Sequence, residues 1–474
     1  MGDVIVISGG GSVEVGTDTL FTAVAALARA ETELAAGMGE VASIERLVGP
    51  SSAGFPGFGP VMAADLEMDA ALLTLARARA SAAALATALH GAATAYGEAE
   101  RVTQTTAEQV AAGIAYQLGV QLAPFTPLMI QLGRRLWPAI LGSAGSSSGS
   151  SPWLAPIKLL VERRDSAFVV RLAVMSADEF GTGALRLPLG SDPSHRVAGD
   201  QGLSTSIAAI RDLGRTDGLL QETPIITARS SSDTAPQAIP TGWADRAGRI
   251  PDKGTTDQVR IDTYERPDGS KSYEVYIAGT RDFGLGPDDQ PWDMTSNLAG
   301  IEGSEAGSIV AVENAMKESG ITGDSPVLIT GHSQGGLVAA RIASSGEYNV
   351  KGLFTLGAPA AQSAVPAGVP WIALEHSNDI VPALSGRWAH SDPVIVTRDV
   401  GPLELARDPH FFAVHLLPEY EKTAALTDVS GDPRVGAVTR SFDDFTAGAT
   451  PVLSEYYTSV RERSVTSDSP PAAR

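Results

Sequence analysis

Val327-Leu328-Ile329-Thr330-Gly331-His332-Ser333-Gln334-Gly335-Gly336 runs straight on into Leu337-Val338-Ala339-Ala340-Arg341-Ile342. An apolar strand, a glycine-flanked serine and a helical run follow one another without a break. That is the strand, sharp turn and helix of a nucleophile elbow, in which the serine sits in a strained backbone conformation with neighbouring segments pressed close. Gly331 and Gly335 flank Ser333 where side chains would collide. The pattern of spacing is insufficient by itself: Gly145-Ser146-Ser147-Ser148-Gly149 fits it equally well. That second match has no strand before it and no helix after it, and reads as linker.

Working outward, strands alternate with helices. Gln258–Glu265 and Lys271–Ile277 are two alternating strands around Arg266-Pro267-Asp268-Gly269, a hairpin. A loop with Asp288-Asp289 and a helix from about Ser304 to Ser319 lead to the elbow strand. Val350–Leu356, Val369–His376 and Val394–Thr397 read as further buried strands. Ile157–Met175 alternates enough to supply a strand or two, Ser204–Leu213 suggests a short helix, and Ser230–Gly242 a loop. The order implies an α/β domain with a mostly parallel sheet covered on both faces.

Further out, Thr17 to about Val48 carries Leu20, Val24, Leu27, Leu34, Met38 and Val41 at helical spacing. A Gly-Pro-aromatic loop around Phe55-Pro56-Gly57 separates it from a second alanine-rich helix, Val61 to about Glu100. The two make an antiparallel hairpin. Thr106–Leu141 is a third helical, apolar region broken by prolines, read either as a lipid- or partner-facing surface or as a helix buried against the hairpin. The domain reading is a helical hairpin domain over residues 1–142, a flexible linker over 143–152, an α/β domain over 153–460 and a disordered tail over 461–474.

Composition bounds the function. With 43% hydrophobic and 19% charged residues the chain is globular, and its formal charge of -20 argues against nucleic acid and anionic membrane surfaces as partners. No apolar run is long enough for a transmembrane span. The absence of cysteine removes disulfides, thiolate catalysis and cysteine-ligated zinc, and no His and acid spacing suggests a metal, so no cofactor is expected. Met1-Gly2-Asp3-Val4-Ile5-Val6-Ile7 is too short and too acidic for a signal peptide, and Gly9-Gly10-Gly11 after it reads as a flexible turn instead of a dinucleotide loop.

A serine hydroxyl is a poor nucleophile at neutral pH, so Ser333 needs an imidazole in reach and a carboxylate to orient that imidazole. For the elbow architecture the chain order is Ser, then acid, then His. Asp379 follows the strand Trp371-Ile372-Ala373-Leu374-Glu375-His376 directly, which puts it on the same sheet edge as the elbow. Asp399 is a second candidate, and Asp392 before Pro393 reads as a turn former. Among the later histidines, His415 introduces an apolar segment that becomes helical, and His410 is the reserve base. His332 and His376 read as packing or locally bonded side chains.

At these residues the chain resembles the class 3 lipase branch of the α/β-hydrolases, over about residues 240–430. The resemblance rests on Ile277-Ala278-Gly279-Thr280, the Gly331–Gly336 elbow, Ser377-Asn378-Asp379-Ile380-Val381-Pro382, and His415 with Tyr420. It implies a triad of Ser333, Asp379 and His415, with Thr280 and the backbone N–H of Gln334 at the oxyanion hole. The family has arginine where Ala278 stands. It places a lid where Arg281–Asn297 lies, with Phe283, Leu285 and Trp292 as cover for an acyl pocket, although Asp288-Asp289 suit a solvated loop. The expected activity is hydrolysis of lipid-like esters. Amide hydrolysis or acyl transfer by the same triad, and an inert secreted binding protein, stay open.

The N-terminal hairpin is similar to the WXG and PE families of type VII secretion substrates, with Tyr96 and Glu100 in the place of their export signal. The tryptophan of the former family is absent. The similarity implies a secreted or cell-surface protein and a small helical secretion partner on residues 1–142. The alternatives are a plain structural helical pair and a cytoplasmic protein.

Overall fold

The structure, a computed structural model, describes residues 5–9, 17–48, 68–88, 111–118, 120–121, 166–176, 207–208, 211–212, 214–216, 219–230, 235–251, 254–283, 289–388, 391–401 and 412–462. These divide into a helical unit within residues 11–105 and an α/β unit made of residues 1–10 and 106–474.

In the helical unit the first helix is Thr17–Val48, as its periodicity demands, and residues 68–88 form a second. Arg79 Nε donates to Glu31 Oε1 across the pair at 3.3 Å. That pair is solvated and contributes little to stability. The Phe55 turn, Tyr96 and Glu100 lie outside the described residues.

Among the described residues the α/β unit is built on one nine-stranded sheet. In chain order its strands are β1 (Ile5–Gly9), β2 (Ile225–Arg229), β3 (Val259–Glu265), β4 (Lys271–Ile277), β5 (Pro326–His332), β6 (Asn349–Leu356), β7 (Trp371–His376), β8 (Val394–Arg398) and β9 (Thr450–Arg461). Across the sheet they run β1-β8-β7-β6-β5-β4-β3-β9-β2. The neighbours from β4 to β8 are parallel, and the pairs at both flanks are antiparallel. The sheet is therefore mixed, with a parallel centre.

Both faces are covered, which explains the near-continuous apolar central strands. On one face Val275, Ile277, Val327 and Ile329 join Ala311, Val312, Val338 and Ala339 of the helices Gly307–Glu318 and Gln334–Ser345. On the other, Tyr276, Leu328, Phe354, Ile372 and Leu374 pack with Leu417, Tyr420, Val438 and Phe442 of the helices Leu417–Asp428 and Pro433–Thr446. Successive strand residues alternate between these two cores, as the pleat requires.

Several readings need correction. Residues 5–9 are no part of the helical unit, because β1 pairs antiparallel with β8, Ile7 opposite Val396, and Arg434 donates to the carbonyls of Ile7 and Gly9 at 3.2 Å each. Within Ile157–Met175, whose alternation suggests a strand or two, Ser166–Met175 is a helix packed on the turn Ile380–Ala383. Met294–Glu302, read as loop, is a helix capped by Asp293. The tail does not begin at Arg461, which is buried at the end of β9; β9 and the helix Pro433–Thr446 carry no expectation from the sequence. Residues 143–152 and 463–474 lie outside the described residues.

Candidate active site

β5 ends at His332, and Ser333 follows with φ 54 and ψ -120 before the helix Gln334–Ser345 begins. A non-glycine residue at positive φ is held there only when its surroundings impose it. The two flanking glycines show how. A Cβ on Gly331 would stand 2.3 Å from the carbonyl carbon of Gly335, and one on Gly335 would stand 2.3 Å from the carbonyl oxygen of Ile277. Ser333 N also donates to Leu356 O of β6 at 2.7 Å.

The three residues proposed from chain order converge. His415 Nε2 lies 2.7 Å from Ser333 Oγ, and His415 Nδ1 lies 2.6 Å from Asp379 Oδ2. A carboxylate only accepts, so Nδ1 carries the ring proton and Nε2 is left as the acceptor for the serine hydroxyl. His415 ends a single turn of 3-10 helix, Ala413–His415, ahead of the helix Leu417–Asp428. The three side chains are all buried, Asp379 most deeply.

Asp379 lies at the carboxyl end of β7, where it caps the turn Ile380–Ala383 by accepting from Val381 N at 2.9 Å. Tyr420 Oη donates to its Oδ2 at 2.7 Å. Burial alone would push the Asp379 carboxyl up. The adjacent His415 ring, its hydrogen bond and the donors Val381 N–H and Tyr420 Oη–H outweigh burial and hold it below its ordinary range. Burial and the neighbouring Asp379 charge push the Tyr420 phenol well up, so it stays a donor.

The other histidines support this geometry. His332 Nε2 donates to His415 O at 2.9 Å. His376 stacks on Tyr420 with centroids 3.9 Å apart, donates from Nδ1 to Val414 O at 2.7 Å, and has Nε2 2.8 Å from Thr423 Oγ1. Burial lowers its pKa to about 4, so it is neutral at pH 7. Asp399 is exposed, and His410 lies outside the described residues.

Thr280 follows β4 on the same edge as Ser333, and its neighbour Gly279 comes close enough that an added Cβ would lie 3.3 Å from Ser333 Cβ. Asn297 Nδ2 donates to Thr280 Oγ1 at 3.0 Å, which leaves the Thr280 hydroxyl proton to be donated elsewhere. Gln334 opens its helix, whose first N–H groups find no partner within the helix. Its side chain does separate work, donating to Asp293 O and Ser308 Oγ at 3.3 Å each.

Sequence reasoning missed Asn297 and the role of Tyr420. Only the tyrosine's spacing from His415 signalled it. The expected cover for an acyl pocket also changes: Trp292 is fully buried in the core, with Nε1 donating to Ala278 O at 3.0 Å, and Leu285 lies outside the described residues. Among the described residues no group of three or more His, Asp or Glu is placed to hold a metal, and no helix is long and apolar enough to cross a membrane.

The chain has no significant match among family models, curated proteins or solved structures.

Proposed function

We propose that the chain is a serine carboxylic ester hydrolase of α/β-hydrolase type that acts on lipid-like esters through an acyl-enzyme. The observation that carries this reading is the chain of contacts from Ser333 Oγ through His415 Nε2 and Nδ1 to Asp379 Oδ2, at 2.7 and 2.6 Å. As Ser333 Oγ attacks the ester carbonyl carbon, His415 Nε2 takes its proton and Asp379 stabilises the imidazolium. The carbonyl oxygen becomes an oxyanion facing the Thr280 hydroxyl and the Gln334 N–H. His415 then returns the proton to the departing alkoxide, leaving an ester on Ser333. Water activated by the same imidazole hydrolyses it.

Lipid-like substrates are proposed on the resemblance at Gly279-Thr280, the elbow and the acid turn. Initial rates on p-nitrophenyl esters of increasing chain length, set beside a peptide panel, test it. Ser333→Ala should lower ester turnover by about 10⁴–10⁶ with the fold intact. Undiminished turnover in that variant removes Ser333 from the mechanism. The helical unit is proposed to serve export by a type VII-like route, or docking of a small helical partner.

A further inference from the structure

The last residue of β9 reaches back to the loop that follows Thr280. Arg461 Nη1 donates to Asp293 Oδ2 and to Gln290 O at 2.6 Å each. Nη2 donates to Glu222 Oε2 at 2.7 Å, Ser296 Oγ at 2.8 Å and Asp293 Oδ1 at 3.1 Å, and Nε to Glu222 Oε2 at 3.1 Å. Its main-chain N–H donates to Asp289 O at 2.7 Å. The guanidinium thus engages Asp293 as a fork, the geometry arginine offers and lysine does not. Its side chain is 5% exposed and that of Asp293 1%.

All these partners except Glu222 lie on the short return from Thr280 to Asn297. Asp293 caps the helix Met294–Glu302 by accepting from Ser296 N at 2.9 Å, and one turn further on Asn297 holds Thr280 Oγ1. Gln334, the residue after the candidate nucleophile, also donates to Asp293 O, at 3.3 Å. A donor on a loop stabilises a developing oxyanion only if it is already aimed before the reaction. A buried ion pair need not raise net stability, so fixing geometry is the better account of this clamp.

We propose that Arg461 is a positioning residue for the oxyanion donors: it fixes Asp293, and through it the helix whose Asn297 aims the Thr280 hydroxyl. This rests on the hydrolase reading given above.

The test uses the full chain with p-nitrophenyl butyrate, comparing wild type, Arg461→Met, Arg461→Lys, Asn297→Ala and the Arg461→Met/Asn297→Ala double variant. Arg461→Met should lose about 10² in kcat with KM little changed, the scale of a small misplacement of catalytic groups. Arg461→Lys, which keeps the charge without the fork, should recover part of that. The double variant should lose much less than the product of the single losses, because both act through Thr280. Losses that multiply independently, or an unchanged kcat in Arg461→Met, overturn the proposal. Should Arg461→Met fail to fold by melting and gel filtration, Asp293→Asn takes its place in the cycle, with the same outcomes deciding. A wild type without esterase activity, or an active Ser333→Ala variant, would instead sink the hydrolase reading itself.

Discussion

The Tyr420 hydroxyl donates to the same Asp379 oxygen, Oδ2, that His415 Nδ1 approaches, at 2.7 and 2.6 Å. One carboxylate oxygen therefore carries both contacts, while the other accepts from Val381 N. With three donors the carboxylate is held in one plane, and the imidazole with it. Tyr420→Phe keeps the stack on His376 but removes one donor from the charged form of Asp379. A hydrogen bond to a charged group is worth about 1.5–3 kcal/mol, so kcat/KM should fall about ten- to a hundredfold. The Asp379 carboxyl should rise toward its ordinary range, and the acid limb of the pH–rate profile should move to higher pH. A profile superimposable on that of wild type would show that the phenol does not tune Asp379.

The Thr280 hydroxyl, oriented by Asn297, is the side-chain donor of the proposed oxyanion hole. Thr280→Val preserves shape and removes it. Loss of one such donor costs about 10²–10³ in kcat. Steady-state kinetics should place the loss in kcat with KM little altered. A change in KM alone would assign Thr280 to substrate binding.

His376 and Asp379 make stability depend on acid. The His376 folded-state pKa of about 4 lies below its ordinary 6.5, so between those values the unfolded chain binds a proton that the folded chain does not. Its contribution is complete above about pH 6.5, declines by up to about 1.4 kcal/mol per pH unit as the pH falls, and levels off near 4. Asp379 adds to this, since its carboxyl is held low and its contribution is lost as the pH falls through the folded value. His376→Gln should flatten the slope of denaturation free energy between pH 6.5 and 4, whatever its effect on the absolute value. An equal slope in the two proteins would contradict the assignment.

Gly335 sits against the end of β4, where an added Cβ would meet the backbone carbonyl of Ile277. Backbone cannot rotate aside, so Gly335→Ala should destabilise by about 1–3 kcal/mol and reduce ester turnover by moving Ser333. Chemical denaturation measures the first and initial rates the second. A fully stable, fully active variant would mean that the elbow is looser than its contacts indicate.

The proposed export signal makes a prediction of its own. Replacing Tyr96 and Glu100 with alanine should retain the protein in the cells of its native host. An unchanged distribution between cells and medium would leave the helical unit without an export role.

The elbow could be read from sequence because its marks are local, an apolar strand, a glycine two residues either side of the serine and a helix at the next residue, although the contacts that require Gly335 come from β4. Asp379 and His415 followed from chain order and from the strand or helix beside each. What escaped was set by distant contacts. The short run Ile5–Gly9 becomes a strand only because the exposed edge of β8 pairs with it. Ser166–Met175 holds Val169, Val170 and Val174, residues that favour strands, yet it packs as a helix on the acid turn, tertiary packing overriding propensity. Asn297 and Arg461 carry no pattern in sequence, since each acquires its role from a side chain on another element.

The most direct measurement is active-site labelling with a fluorophosphonate, followed by peptide mass spectrometry. One adduct is expected, on Ser333, formed far more slowly in His415→Ala and absent from Ser333→Ala. A folded wild type that takes up no label, or takes it up at another residue, would contradict it.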